Sequence, residues 1–127
     1  MKYNLAFKYR IYPNKDQELL IKKTFGCVRF VYNTILHIAN KIYEETGKNR
    51  IITPASLKSE NQFLKEVDSL ALSNTQLNVK RSFTNFFQKR AKFPRFKSKK
   101  NNIKSYTTNC VNNSIRIEKN NILLIKK

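Results

Sequence analysis

Between Lys80 and Lys104 the chain carries ten basic side chains and no acidic one. No fold can bury such a segment, because each unpaired charge taken out of water costs several kcal/mol or more. The stretch must therefore lie on the surface, and it must be tied there. Phe83, Phe86, Phe87, Phe93 and Phe96 are threaded through it and supply apolar anchors. A solvated connector whose lysines only maintain solubility is the plainer reading. Phe93-Pro94-Arg95-Phe96 argues against it, since two aromatic anchors around a proline can hold the arginine between them in place. A held cation grips a phosphate better than a free one, because less side-chain entropy is lost on contact.

The rest of the chain shares the bias. Twenty-six Lys and Arg face 8 Asp and Glu, a net charge of +18 over 127 residues. Residues 1–60 contribute +6 and residues 61–127 contribute +12. An excess of this size repels itself unless a polyanion neutralises it, and release of condensed counterions rewards each Lys or Arg contact with nucleic acid. A coding genome rich in A+T also raises Lys, Asn and Ile counts, so the clustering carries more weight than the total. An acidic membrane surface is the remaining alternative. No stretch approaches the roughly 20 apolar residues of a membrane span, and the N-terminus lacks the apolar run of a signal peptide. A cytosolic location without membrane partners is expected. With 40% hydrophobic and 12% aromatic residues, the chain has enough apolar material for one small core.

The periodicity reads as mixed α and β. Tyr3, Leu5, Phe7, Tyr9 and Ile11 alternate with polar residues and predict a first strand over 1–12. Tyr12-Pro13-Asn14 breaks it. Asn14 with Gln17 is a capping box for a short helix ending at Gly26. A second helix is predicted from about Cys27 to Thr46, closed by Gly47, with Val28, Val31, Tyr32, Ile35, Ile38, Ala39, Ile42 and Tyr43 as its apolar face. Two helices joined at Gly26 form a helix-turn-helix geometrically, a shape that more often serves packing than groove insertion. Arg29, Asn33, Asn40 and Lys41 are its polar candidates. Thr53-Pro54 opens a short helix, and a longer one starts near Ser69 with Leu72, Val79, Phe83, Phe86 and Phe87 on its core side. The other side offers Ser73, Asn74, Asn78, Arg81 and Asn85, groups that can pair with base edges. After Pro94 the alternation resumes over Ser105–Val111, Ser114–Glu118 and Ile122–Ile125, with Lys119-Asn120-Asn121 as the turn of a hairpin.

Catalysis finds no support in the residues. His37, the single histidine, sits within the second predicted helix. Cys27 and Cys110 stand apart without a CxxC pair and read as small apolar fillers. The acids Asp16, Glu18, Glu44, Glu45, Glu60, Glu66, Asp68 and Glu118 fit caps, helix ends and solvated positions, whereas a two-metal site needs converging carboxylates. No phosphate loop or nucleophile elbow is present. The chain is expected to be non-enzymatic, with no metal and no cofactor.

Four runs carry a resemblance: Tyr9 to Asn14 (YRIYPN), Phe25 to Asn33 (FGCVRFVYN), Asn85-Phe86-Phe87, and Lys92 to Lys97 (KFPRFK). Together, in this order, they resemble the TnpB (OrfB) family of insertion-sequence proteins, relatives of the type V CRISPR effectors. The resemblance implies an RNA-guided DNA endonuclease encoded by a transposon, of which this chain is similar to the N-terminal recognition region. It implies an α+β fold: an incomplete small β-barrel from strands in 1–12 and 104–127, a helical insert over 13–90, and a basic loop over 91–103. The family's RNase H-like nuclease domain and zinc finger match no position here; a downstream reading frame would have to supply them. Target-motif reading maps by resemblance to Ser69, Ser73 and Asn74 and to Val111, Asn112 and Asn113. Ser73 and Val111 are weak base readers. Phosphate contact is assigned to Lys80, Arg81, Lys89, Arg90, Lys92, Arg95, Lys97, Lys99, Lys100 and Lys104. The expected partners are DNA and a guide RNA. The alternatives are a stand-alone helix-turn-helix DNA-binding regulator and a nonfunctional fragment that binds any polyanion.

Overall fold

The computed structural model describes residues 2–100, 104–111, 115–118 and 121–124. Its centre is a pair of long helices. Helix α1 spans Lys15–Thr46 and α3 spans Ser69–Phe87; between them lie the short helix α2 (Ala55–Lys58) and a 3₁₀ turn (Gln62–Glu66).

Helix α1 begins where its capping chemistry dictates. The Asn14 side chain accepts from the Gln17 amide at 2.9 Å, and the Gln17 side chain accepts in return from the Asn14 amide at 3.0 Å. Asp16 and Glu18 in the first turn face the positive end of the helix dipole. The buried stripe of Thr24, Cys27, Val28, Val31, Tyr32, Ile35, Leu36 and Ala39 recurs at three- and four-residue steps along one side. Gly47 closes the helix at φ 72°, and its N–H reaches the Tyr43 carbonyl at 2.8 Å. That left-handed position is one a Cβ-bearing residue occupies only at a cost.

Gly26 does not break the chain into two helices. It lies inside α1, with no positive φ, and a Cβ placed there would meet nothing within 4 Å. A mid-helix glycine costs only about 1 kcal/mol. The apolar stripe runs through on both sides of it, and burying that stripe outweighs the penalty. The helix-turn-helix expected at Gly26 is thus replaced by a single continuous rod.

Helix α3 starts at Asp68, whose carboxylate accepts from the Leu70 amide at 2.9 Å. Its inner face of Ala71, Leu72, Thr75, Val79 and Phe83 packs on the stripe of α1. Leu57, Leu64 and Val67, from the connection, close the same core. Each fully buried aliphatic side chain of this set contributes roughly 1.5–3 kcal/mol of transfer free energy. The two buried polar residues need no outside partner. The Thr24 hydroxyl donates to the Leu20 carbonyl at 2.7 Å, and the Thr75 hydroxyl to the Ala71 carbonyl at 2.9 Å. The Thr53-Pro54 opening is weaker than expected. Thr53 makes no side-chain cap, and its carbonyl instead accepts from the Ser56 hydroxyl at 2.6 Å.

The α+β barrel does not form: among the described residues the domain is helical. Residues 2–13 contain no strand, and their apolar face is bare, with Tyr3 and Leu5 each 76% exposed. Period-two alternation needs a neighbouring strand to become a sheet, and no described segment pairs with this one. The alternation over 105–111 has a different cause. The segment lies against the helices rather than in a sheet, with Tyr106 edge-on to Phe25 (5.6 Å between centroids) and packed on the core. Two residues on, the Thr108 hydroxyl hydrogen-bonds the Asp68 carboxylate. Tyr106 and Thr108 turn inward while their neighbours face water, so the pattern reports one-sided burial of an extended chain. Among the described residues the strand content is one two-stranded antiparallel ribbon, β1 (Ile115–Glu118) with β2 (Asn121–Leu124), Ile115 opposite Leu124. Residues 119–120 of the expected turn lie outside the described residues.

Two outcomes check this fold. Gly26→Ala should raise stability to unfolding by about 1 kcal/mol if the helix is continuous; a loss on denaturant titration would instead indicate a left-handed break at that position. Cys27 is buried, and burial is the main cause, with the Glu66 carboxylate second, of a thiol pKa above its ordinary value. Cys110 is exposed, contrary to its reading as a filler. At neutral pH a thiol reagent should label Cys110 readily and Cys27 only after unfolding, as peptide mapping can show.

Candidate nucleic-acid interface

All ten cations of the Lys80–Lys104 run are exposed. The ion pairs among the described residues are Lys22–Glu18 at 2.9 Å and Lys23–Glu66 at 3.6 Å, so no cation of the run is neutralised by an acid. Lys80 and Arg81 stand on α3. The helix then ends, and the chain turns through Lys89 in the left-handed region at φ 61°. The turn is fixed by backbone bonds: the Lys89 amide donates to the Phe86 carbonyl at 3.0 Å and the Arg90 amide to the Asn85 carbonyl at 2.8 Å. A non-glycine residue in this conformation costs roughly 1–2 kcal/mol, so the chain holds Lys89 there against its preference.

The loop that follows is fastened at two points. Phe93 returns to α3 and stands edge-on to Phe86 at 5.1 Å and to Phe83 at 5.8 Å. Four residues later the Asn33 side chain of α1 clamps the backbone of Lys97. Its amide nitrogen donates to the Lys97 carbonyl at 2.9 Å, and its oxygen accepts from the Lys97 amide at 2.7 Å. The clamp sets the Lys97 ammonium over the Tyr32 ring, 4.7 Å from its centroid. The Tyr32 hydroxyl in turn lies 3.0 Å from Ser82 Oγ of α3. A cation on an aromatic face at an exposed site gains about 0.5–1 kcal/mol. Lys97 is consequently the most constrained cation of the run.

This clamp is the feature that residue-type reasoning misplaced. Asn33 reads as a polar group free to meet bases, yet both ends of its amide are committed to Lys97. Its position directly after Tyr32, within one of the four runs, was the available signal. Of the other polar residues on α1, Arg29 is half-buried, Lys41 is exposed and Asn40 borders a cleft beside the loop. On α3, Ser73 is exposed and Ser69 half-buried. Asn74 is engaged, donating to the Leu70 carbonyl and to Asn109 Oδ1, both at 2.9 Å. Ser69, Ser73 and Asn74 therefore sit at the end of α3 bordered by the 104–111 segment, away from the FPRF loop. Asn112 and Asn113 lie outside the described residues. His37 is exposed on α1, and no group of His, Cys, Asp or Glu among the described residues has the arrangement of a metal site.

The chain is similar in sequence to known proteins over most of its length. Residues 1–48 match the model of the OrfB helix-turn-helix domain. A protein of Streptomyces pristinaespiralis named a putative RNA-guided DNA endonuclease is 39% identical over 102 residues, 75% of this chain and 25% of its own length. The putative RNA-guided DNA endonuclease InsQ of Escherichia coli is 34% identical over 111 residues, 80% of this chain and 27% of its own length. Virulence protein VsdF of Salmonella dublin is 35% identical over 112 residues, covering 74% of this chain and 92% of VsdF. The chain belongs to the TnpB (OrfB) family. It spans about a quarter of the length of the two endonuclease relatives. Among its described residues no helix is long and apolar enough to cross a membrane.

If the clamp holds the loop, Asn33→Ala should leave the helical core intact, at a cost of no more than about 1 kcal/mol. The amide of Lys97 should then exchange with solvent markedly faster. Unchanged Lys97 protection by hydrogen-exchange NMR would show that the loop is held by something else.

Proposed function

We propose that this TnpB-family chain is a nucleic-acid-recognition unit that holds guide RNA and target DNA by their backbones and does not itself cut. The observation that carries the reading is the clamped, acid-free run. Ten exposed cations lie along one segment, and Asn33 and Phe93 fasten its middle portion. Phosphate contacts position a protein on nucleic acid without choosing a sequence, and Lys92, Arg95 and Lys97 on the fastened loop suit that role. The helix-turn-helix domain match and the names of the two endonuclease relatives support DNA and RNA as the polyanions. Base reading is assigned to the other end of α3, where exposed Ser73 can reach a groove while Asn74 is held against Asn109.

A second reading, a DNA-binding protein that works without guide RNA, draws on VsdF, whose length the chain nearly spans. The two separate on purification from cells that also express the RNA of the transposon end. Guide holding predicts enrichment of that RNA. Sequence-selective duplex binding with no RNA enrichment would establish the second reading.

The grip itself is tested by salt titration. Replacing Lys92, Arg95 and Lys97 together by alanine should flatten the slope of log K against log salt by up to roughly 3, about one for each phosphate no longer neutralised. The weakening should be uniform across sequences. An unchanged slope would remove the loop from the interface.

A further inference from the structure

Beside the fastened loop lies a cleft of about 390 Å³ that backbone gripping does not explain. Its wall is aromatic. Phe83 and Phe86 of α3 form the base, and Phe93 stands across them. Phe87, tilted against Phe86 at 5.5 Å, borders the opening. Two of these rings keep much of their surface bare: Phe87 is 51% exposed and Phe93 47%. The opposite side carries Asn40, Tyr43 and Glu44 of α1, a mixed aromatic and polar edge, with Asn49 just beyond it. The turn that joins Phe87 to Phe93 carries Lys89, Arg90 and Lys92, and its left-handed residue lets the chain reverse and bring Phe93 back over Phe86.

Each element of this arrangement narrows the ligand. The volume is near the lower end of small-molecule sites and admits one ring system. Exposed aromatic faces ringed by unpaired cations suit a flat group joined to phosphates, and every nucleobase has such a face. A base within a duplex is stacked on both sides and cannot enter a concave site, so the base must be unpaired. Glu44 then selects among bases. A carboxylate beside a polyanion repels phosphate, but its two oxygens accept from paired donors. Guanine, with its N1–H and N2–H₂, is the base that offers two adjacent donors on one edge.

We propose that the cleft receives one unpaired guanine of a single-stranded nucleic acid, its ring stacked on Phe87 with Phe93 at its edge, and its Watson–Crick edge on Glu44. The flanking phosphates fall to Lys89, Arg90 and Lys92. The proposal rests on the nucleic-acid reading above and adds to it a site with base preference.

The test uses the full chain and fluorescence anisotropy at fixed salt. The probes are short oligouridylates, and the matching oligothymidylates, each with one central G, A, C or U/T, together with a blunt DNA duplex. The G-containing strand should bind roughly tenfold tighter than the all-pyrimidine strand, and the RNA and DNA arms show which strand supplies the base. Phe87→Ala should abolish that advantage while lowering duplex affinity far less. Glu44→Gln should equalise G and A yet keep both above U. Glu44 is on the surface, so this variant decides the matter if Phe87→Ala fails to fold by circular dichroism. Equal binding of G and U strands, or variants that keep the full G advantage, would overturn the site. So would free guanosine monophosphate competing as well as the oligonucleotide, which would make it a small-molecule pocket. If only the site fails, salt-dependent binding of strands and duplex persists without base preference. If the broader reading fails, neither is bound.

Discussion

The packing of α1 on α3 is the constraint on which everything else rests. Val31, Ile35, Leu36, Leu72 and Val79 are wholly or almost wholly buried between them. The charged periphery tolerates a net +18 because this apolar seam is continuous. Like charges that repel across a surface raise the free energy of the compact state, and the compensation has to come from burial. Each helix also carries one element of the candidate interface. Helix α1 presents Tyr32 and Asn33 on the edge of its buried stripe, and α3 delivers the Phe83-Phe86-Phe87 cluster to its C-terminal end. Any change in the rotation of one helix against the other would separate Asn33 from Lys97.

This coupling explains how a segment without regular structure can be rigid where it matters. From Lys92 to Lys97 the loop has no secondary structure of its own, and most of its residues are exposed. Asn33 nevertheless supplies both halves of the pairing that a neighbouring strand would have given Lys97, and Phe93 supplies the apolar contact. A side-chain amide can stand in for a peptide group because it has the same donor and acceptor. The cations between the two fastenings then lose less freedom on meeting phosphate than free side chains would.

Much of the helical part was legible in the residues. The Asn14–Gln17 box, the Gly47 stop, the start at Ser69 and the inward positions of Leu72, Val79 and Phe83 all follow local rules, and local rules decide helices. Phe87, expected on the same inward side, is instead 51% exposed. The misreadings share one cause: a local signal stands where a tertiary contact decides. Gly26 looks like punctuation, but the stripe through Thr24, Cys27 and Val28 carries the helix across it. Tyr106 and Thr108 alternate like a strand, but they alternate between helix pair and water. The α+β barrel came with the family resemblance rather than from pairing partners in this chain, and the described strands make only a two-stranded ribbon. The Asn33 clamp joins positions 64 residues apart, a distance that no periodicity spans.

The acids are unevenly distributed over the fold. Asp16, Glu18 and Asp68 serve helix starts, and Glu66 pairs with Lys23, all at a remove from the FPRF loop. Glu44 is the acid that borders the aromatic cleft. A surface shaped only to attract a polyanion gains nothing from a carboxylate beside its basic turn, since the charge weakens every phosphate contact within a Debye length of about 8–10 Å. Such a residue is expected where a donor-bearing ligand edge returns more than the attraction given up, and a base edge is a ligand of that kind. On the proposed reading Glu44 bears on specificity, whereas the ten cations of the neighbouring run bear on affinity.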